Sequence, residues 1–192
     1  MQPTQTRITL ADLTHTGRDT RVEVVNGEIV TLPPNGLLHQ LIANNLRDAL
    51  SDYVKPRGLG LVLGDGLLFL LDKDEAGIRG ARVPDVAYIR KEDFAPDADL
   101  EKPYPSAPTL AIEVMSPQDT TEATLARIRD YLDAGTVEVW VVYPRQREVH
   151  QYTAANRATV AVYRGDDMID TTALFPGLKL VTASLFILPD WL

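Results

Sequence analysis

Two acidic residues stand where acids are expensive. Asp85 follows Pro84 in the apolar run VPDVAYI, and Glu113 sits inside TLAIEVM, between Ala-Ile and Val-Met. A carboxylate among apolar side chains is costly unless a partner compensates its charge. Two carboxylates from neighbouring strands can hold one hard divalent cation, and Mg²⁺ prefers oxygen ligands while keeping waters, one of which can act as nucleophile. The chemistry that follows is metal-assisted hydrolysis. Each acid also has a plainer reading, Asp85 as a residue that merely starts a strand and Glu113 as half of a buried ion pair with an arginine. Other chemistries are poorly supplied. There is no cysteine, so no thiolate nucleophile, disulfide or thiolate-bound zinc, and only His15, His39 and His150 could serve as an imidazole base. No G-x-S-x-G run and no glycine-rich phosphate loop occurs.

The elements that must position these acids can be read from period and punctuation. RVEVVNGEIVTL predicts a hairpin, because Asn26-Gly27 can take the positive φ values of a tight I′ turn. In PPNGLLHQLIANNLRDALSDYV, Leu38, Leu41, Ile42, Leu46, Ala49, Leu50 and Tyr53 recur at the spacing of one helix face, and the helix is expected to stop before Pro56 and Gly58. LVLGDGLLFLL and VPDVAYI read as strands, separated by the polar stretch DKDEAGIRGAR. A proline-rich loop, FAPDADLEKPYPSAP, leads into TLAIEVM, where alternation puts Leu110, Ile112 and Val114 on one face and Ala111, Glu113 and Met115 on the other. SPQDTTEATLARIRDYLDAG predicts a helix with Asp119 and Glu122 as a capping box, an apolar face of Leu125, Ile128 and Leu132, and Gly135 as the stop. With TVEVWVVYP after it, this makes a βαβ unit with two parallel strands. EVHQYT and ATVAVYR are expected to add antiparallel strands, and the C-terminal stretch to dock as a tail.

In this order, VEVVNGEIV, LLHQLIANNL, VPDVAYI, LAIEVMSP and YLDAGTVEVWVVYP closely resemble the Uma-two family of restriction-endonuclease-like proteins, over roughly residues 20–185. The resemblance implies a mixed α/β fold with the PD-(D/E)XK core, carrying the βαβ unit and the added antiparallel strands. It makes Asp85 the aspartate of the motif, Glu113 the second acidic ligand, and the backbone carbonyl of Val114 a third metal ligand. Met115 stands where the general motif has lysine. The family resembles members whose basic residue has moved to the following helix, and the matching position here is Arg127. An arginine stays protonated, so it can hold a phosphate but cannot act as a base. An aspartate favoured earlier in that helix, near Ala123, is absent. Glu23 matches a family feature in the hairpin and could complete the acidic cluster or position water. His39, in the first helix, and Ser116 are second-tier site residues, with packing and capping as their simpler roles.

The resemblance therefore implies a Mg²⁺- or Mn²⁺-dependent nuclease, with nucleic acid as partner and DNA as the expected substrate. A catalytically impaired module that binds nucleic acid or protein on the same fold is the alternative. The 192 residues, 45% hydrophobic and 24% charged, lead us to expect one domain over 1–192, with residues 1–19 as a lead. A net charge of −8 works against duplex binding. Arg79, Arg82, Arg90 and Lys91, and again Arg127, Arg129, Arg145 and Arg147, could form a binding stripe or be scattered solvated arginines. The start has no basic segment followed by an apolar run and no stretch is long enough to cross a membrane, so the cytoplasm is expected. Duplex cleavage by one site per chain favours a homodimer.

Overall fold

The computed structural model describes residues 7–15, 21–96 and 98–192. Of the expected N-terminal lead, residues 1–6 and 16–19 lie outside the described residues, while a short helix, α1 (Leu10–His15), forms between them. The hairpin is as expected: β1 (Val22–Val25) pairs antiparallel with β2 (Glu28–Thr31), and Asn26 and Gly27 turn at φ 52° and 78°. The long helix α2 (Leu37–Arg57) runs past its expected stop. Pro56 sits in the last turn, and the helix ends only where Gly58 enters the left-handed region at φ 60°, its N–H donating to Lys55 O. The buried face is Ile42, Ala43, Leu46, Leu50 and Val54, whereas Leu38 of the expected stripe is 43% exposed.

Two sheets follow from the remaining strands: β3 (Gly60–Gly64), β4 (Phe69–Asp74), β5 (Gly77–Arg82), β6 (Val86–Arg90), β7 (Leu110–Val114), β8 (Glu138–Tyr143), β9 (Glu148–Thr153) and β10 (Asn156–Arg164). One has the order β2-β1-β5-β4 and the other β10-β9-β8-β7-β6-β3. The run LVLGDGLLFLL thus supplies a strand to each sheet. β5 was expected to be part of a polar separator. It is a strand that buries Ile78 and Ala81 with Val24 and Leu70, while at the surface Arg79 bonds Asp72 and Asp74 of β4.

Within the larger sheet β7 and β8 pair in parallel and are joined by α3 (Thr121–Asp133), while β9 and β10 add antiparallel strands. The faces of β7 are those predicted by alternation. Leu110, Ile112 and Val114 pack with Leu46, Leu50 and Trp140 on the α2 side, and Ala111 packs with Ile128, Tyr131 and Leu132 on the α3 side. Each of these fully buried large apolar side chains contributes roughly 1.5–3 kcal/mol.

α3 begins one residue later than a cap at Asp119 would require. Thr120 is the N-cap, accepting from Ala123 N–H at 3.2 Å, while Asp119 accepts from Ser116 N–H at 2.7 Å. α3 buries Thr124, Ile128, Tyr131 and Leu132 and leaves Leu125 39% exposed. The C-terminal stretch docks on α2, where Asn45 Nδ2 donates to Leu185 O and Ile187 O.

Candidate active site

Asp85 is positioned by the backbone of the strand beside it. Its N–H donates to Ile112 O at 3.1 Å, and its Oδ2 accepts from Val114 N–H at 2.8 Å. His39, from the first turn of α2, brings Nε2 to 3.0 Å from the same oxygen. The other oxygen lies 3.9 Å from Arg21, which is itself held by Asp65 at 2.7 Å. Asp85 is therefore fixed in direction and only 6% exposed.

Glu113 projects from the α3 face of β7, also 6% exposed. Its Oε1 accepts from Tyr131 OH at 2.7 Å, and Oε2 lies 3.3 Å from Arg127, which reaches 4.0 Å from Asp119. Burial pushes Glu113 up to about 8. Arg127 and Tyr131 oppose that rise, whereas the negative charges of Asp85 and Glu23 add to it. Tyr131, wholly buried against the same carboxylate, is raised well above the usual phenol range. Asp85, Glu113, Val114, Arg127, Glu23, His39 and Ser116, every residue singled out from the sequence, line one cleft of about 80 Å³.

The family model described as "Putative restriction endonuclease", Uma2, matches residues 9–183. The chain belongs to the Uma2 family. Among solved structures it is similar to that of a "putative nuclease belonging to DUF820" from Anabaena variabilis ATCC 29413, with a TM-score of 0.74 and 20% identity, covering 93% of this chain and 97% of that one. That likeness establishes the restriction-endonuclease-like fold. No curated protein matches the chain.

In this Uma2 chain Glu23 lines the cleft with both oxygens already engaged. Oε2 is bonded to Arg82 at 2.6 Å and Oε1 accepts from Val83 N–H at 3.1 Å. Arg82 continues to Asp130 of α3 at 2.5 Å, so the trio ties the smaller sheet to α3. Arg82 is thus a buried structural cation, and Arg79 is spent on two aspartates. Neither of these two is free to form part of an arginine stripe. Sequence reading missed Arg21, Asn35, Asp65 and Tyr131. Arg21 shares the alternating face of Glu23 and Tyr131 lies one helical turn after Arg127, so period alone carried a signal for both. None existed for Asp65, which arrives from the bend after β3.

Of the buried polar atoms without a partner among the described residues, Arg21 Nε, Asn35 Nδ2, His39 Nδ1 and Arg127 Nε all belong to residues of this cleft. Among the described residues no group of three or more His, Cys, Asp or Glu is placed to hold a metal ion. Two oxygen ligands nevertheless suit Mg²⁺ or Mn²⁺, since such sites commonly use one or two carboxylates and complete their shell with water. Burial raises Glu113 and the charge of Asp85 adds to the rise, a repulsion that a cation held by the two carboxylates would relieve. No helix among the described residues is long and apolar enough to cross a membrane.

Proposed function

We propose that the chain is a divalent-metal-dependent nuclease that hydrolyses phosphodiester bonds of DNA, with Asp85 and Glu113 holding Mg²⁺ or Mn²⁺. The observation that carries this reading is the pair of buried carboxylates in one small cleft, where burial raises Glu113 and the charge of Asp85 adds to the rise. A bound divalent ion supplies an activated water and positive charge at the phosphate. The chain's own residues do the rest. Val114 N–H and His39 keep Asp85 oriented, and Tyr131 OH fixes one Glu113 oxygen. Arg127, 15% exposed and permanently charged, offers its guanidinium to the negative charge that develops on the phosphate. Glu23 acts at one remove, holding Arg82 and Val83 so that the chain enters Asp85 in a fixed direction.

The test uses single-stranded circular and supercoiled duplex DNA with Mn²⁺, wild type beside Glu113→Ala. Wild type is expected to cut and the variant not to; equal products from both would mean a contaminant and end the assignment. Calorimetric titration of Mn²⁺ should give heat with wild type and none with Asp85→Asn. Pairing of two chains is a separate expectation, and a sedimentation mass near 21.2 kDa, that of one chain, rejects it.

A further inference from the structure

Beside the acidic cleft lies a larger hollow that the proposed hydrolysis leaves unused. It measures about 460 Å³ and shares His39, Ser116 and Asp119 with the cleft, so the two are neighbours. That volume is in the range of small-molecule sites, roughly 300–1,000 Å³. Three segments enclose it, the start of α2, the link from β7 to α3, and the turn from β8 to β9.

Its walls carry two chemistries. Leu37, Leu38, Met115 and Tyr143 supply apolar surface, with Leu37 66% and Leu38 43% exposed on the first turn of a helix that buries its later leucines. Two other groups on the lining attract an anion. α2 starts at Gly36 with no side-chain cap and no acid in its first turn, so the unpaired N–H groups and positive end of a 21-residue helix border the hollow. Arg145 lines it too, and among the described residues it makes no ion pair, unlike Arg79, Arg82, Arg157 and Arg164. A second signal comes from a side chain of that first turn. His39, its side chain 8% exposed, lines both hollows, and its Nδ1 has no partner. The one carboxylate on the lining, Asp119, is occupied by Ser116 N–H.

We infer that this hollow receives one nucleotide of the substrate strand, adjacent to the scissile phosphate and outside any duplex. Its base lies against the leucines and Tyr143, and its phosphate meets the start of α2 and Arg145. The inference deepens the nuclease reading and rests on it for the position of the scissile bond. A base still stacked and paired cannot present its faces to a pocket, so the substrate class is single-stranded or locally unpaired nucleic acid. Charge weighs against a duplex. Duplex affinity draws on many Lys and Arg contacts to phosphate, and this chain carries −8 with several arginines bound to its own acids. One nucleotide needs only an apolar slot and a local anion subsite.

Gly36→Asp is the sharpest variant. Gly36 has extended backbone (φ −76°, ψ 162°) and a Cβ there meets nothing within 4 Å. Aspartate should therefore cap α2 and hold or raise the Tm, while placing a negative charge at the proposed phosphate position. Binding is read by fluorescence anisotropy of a short labelled oligothymidylate and of a duplex of the same length, in EDTA so that no hydrolysis occurs. Wild type is expected to bind the single strand at least about tenfold more tightly than the duplex, and Gly36→Asp and Arg145→Gln each to weaken it by about tenfold. Gly36→Asp folding normally and binding as wild type does would overturn the inference, as would equal wild-type affinity for the two DNAs or none for either. The nuclease reading fails separately: absent Mn²⁺ heat with strand binding intact removes the chemistry and leaves the nucleotide site.

Discussion

Glu113 and Glu138 are buried glutamates on neighbouring strands of one sheet, and they meet opposite surroundings. Glu138 lies on the α2 side, where its Oε2 accepts from Trp140 Nε1 and Gln151 Nε2, both at 2.8 Å. Gln151 in turn donates to Asp170 O and accepts from Tyr163 OH, so the network closes on neutral donors. Burial raises Glu138, and the hydrogen bonds from Gln151 and Trp140 oppose the rise. Glu113, on the α3 side, faces a second carboxylate, an arginine and a cleft ringed by donors without partners. A network that ends in neutral donors is complete within the fold. One that gathers like charges beside unsatisfied donors is not closed by the fold's own groups, and the proposed divalent ion and phosphate would supply the charges it could accept.

The largest effect that could break this contrast is on turnover. Glu113→Gln should lower Mn²⁺-dependent cleavage by at least about 10²–10³, the scale of removing one group that stabilises transition-state charge. Glu138→Gln, equally buried, should leave the rate unchanged. Equal losses in both would mean that cleavage senses only the stability of the sheet.

Arg127 gives the next largest effect. Arg127→Ala is expected to cost on the order of 10²–10³ in rate. Arg127→Lys exchanges the guanidinium for an ammonium whose pKa can fall when buried, and it should retain or raise activity. If all three proteins cut at one rate, Arg127 serves only to balance Glu113. Binding of Mn²⁺ by all three without cleavage would favour a fold that keeps its metal site and has lost its chemistry.

How legible the contrast was in the sequence depends on which signal each part leaves. Alternation in TLAIEVM is a local property of a strand, and it put Glu113 on the face opposite Leu110, Ile112 and Val114, where the structure has it. Asn26-Gly27 and the βαβ unit were readable for the same reason. β5 was hidden because GIRGAR buries only Ile78, Ala81 and the paired Arg82, too few apolar residues to leave a periodic trace. In α3 the buried face is turned toward Thr124 and Tyr131, so Leu125 of the expected stripe stays half exposed while Ile128 and Leu132 are buried as expected. The cleft's seven expected residues were found through resemblance and strand logic. Arg21 and Asp65 come together only because the chain passes from one sheet to the other around them.

A pH titration sharpens the comparison by a smaller effect. Glu113 ordinarily titrates at 4.5 and is raised to about 8 in the fold. Between those values the unfolded chain has released the proton and the folded chain retains it, so folding takes up a proton and stability falls as pH rises through that window. Below 4.5 both states are protonated and above about 8 both are ionised, so the slope vanishes at either end. Thermal melts in EDTA should show wild type losing Tm from pH 5 to 8 more steeply than Glu113→Gln. Saturating Mn²⁺ should raise the wild-type Tm more at pH 8 than at pH 6, because the ion binds the ionised carboxylate.

The smallest expected effect lies on the closed side of the comparison. Gln151 is 5% exposed and joins Glu138, Tyr163 and the carbonyl of Asp170. Gln151→Ala removes the amide, leaving Glu138 with Trp140 Nε1 and Tyr163 OH without its acceptor; a buried group stripped of its partner costs roughly 1–3 kcal/mol. The double variant Gln151→Ala, Glu138→Gln should recover part of that loss, since a neutral amide is easier to leave half-satisfied than a carboxylate. Chemical denaturation of wild type, both single variants and the double gives the coupling directly. Additive losses would mean that Glu138 does not depend on Gln151, and that its network is no more complete than the one around Glu113. Cleavage of single-stranded DNA by Gln151→Ala at the wild-type rate, measured below its melting temperature, would place the two networks on separate tasks.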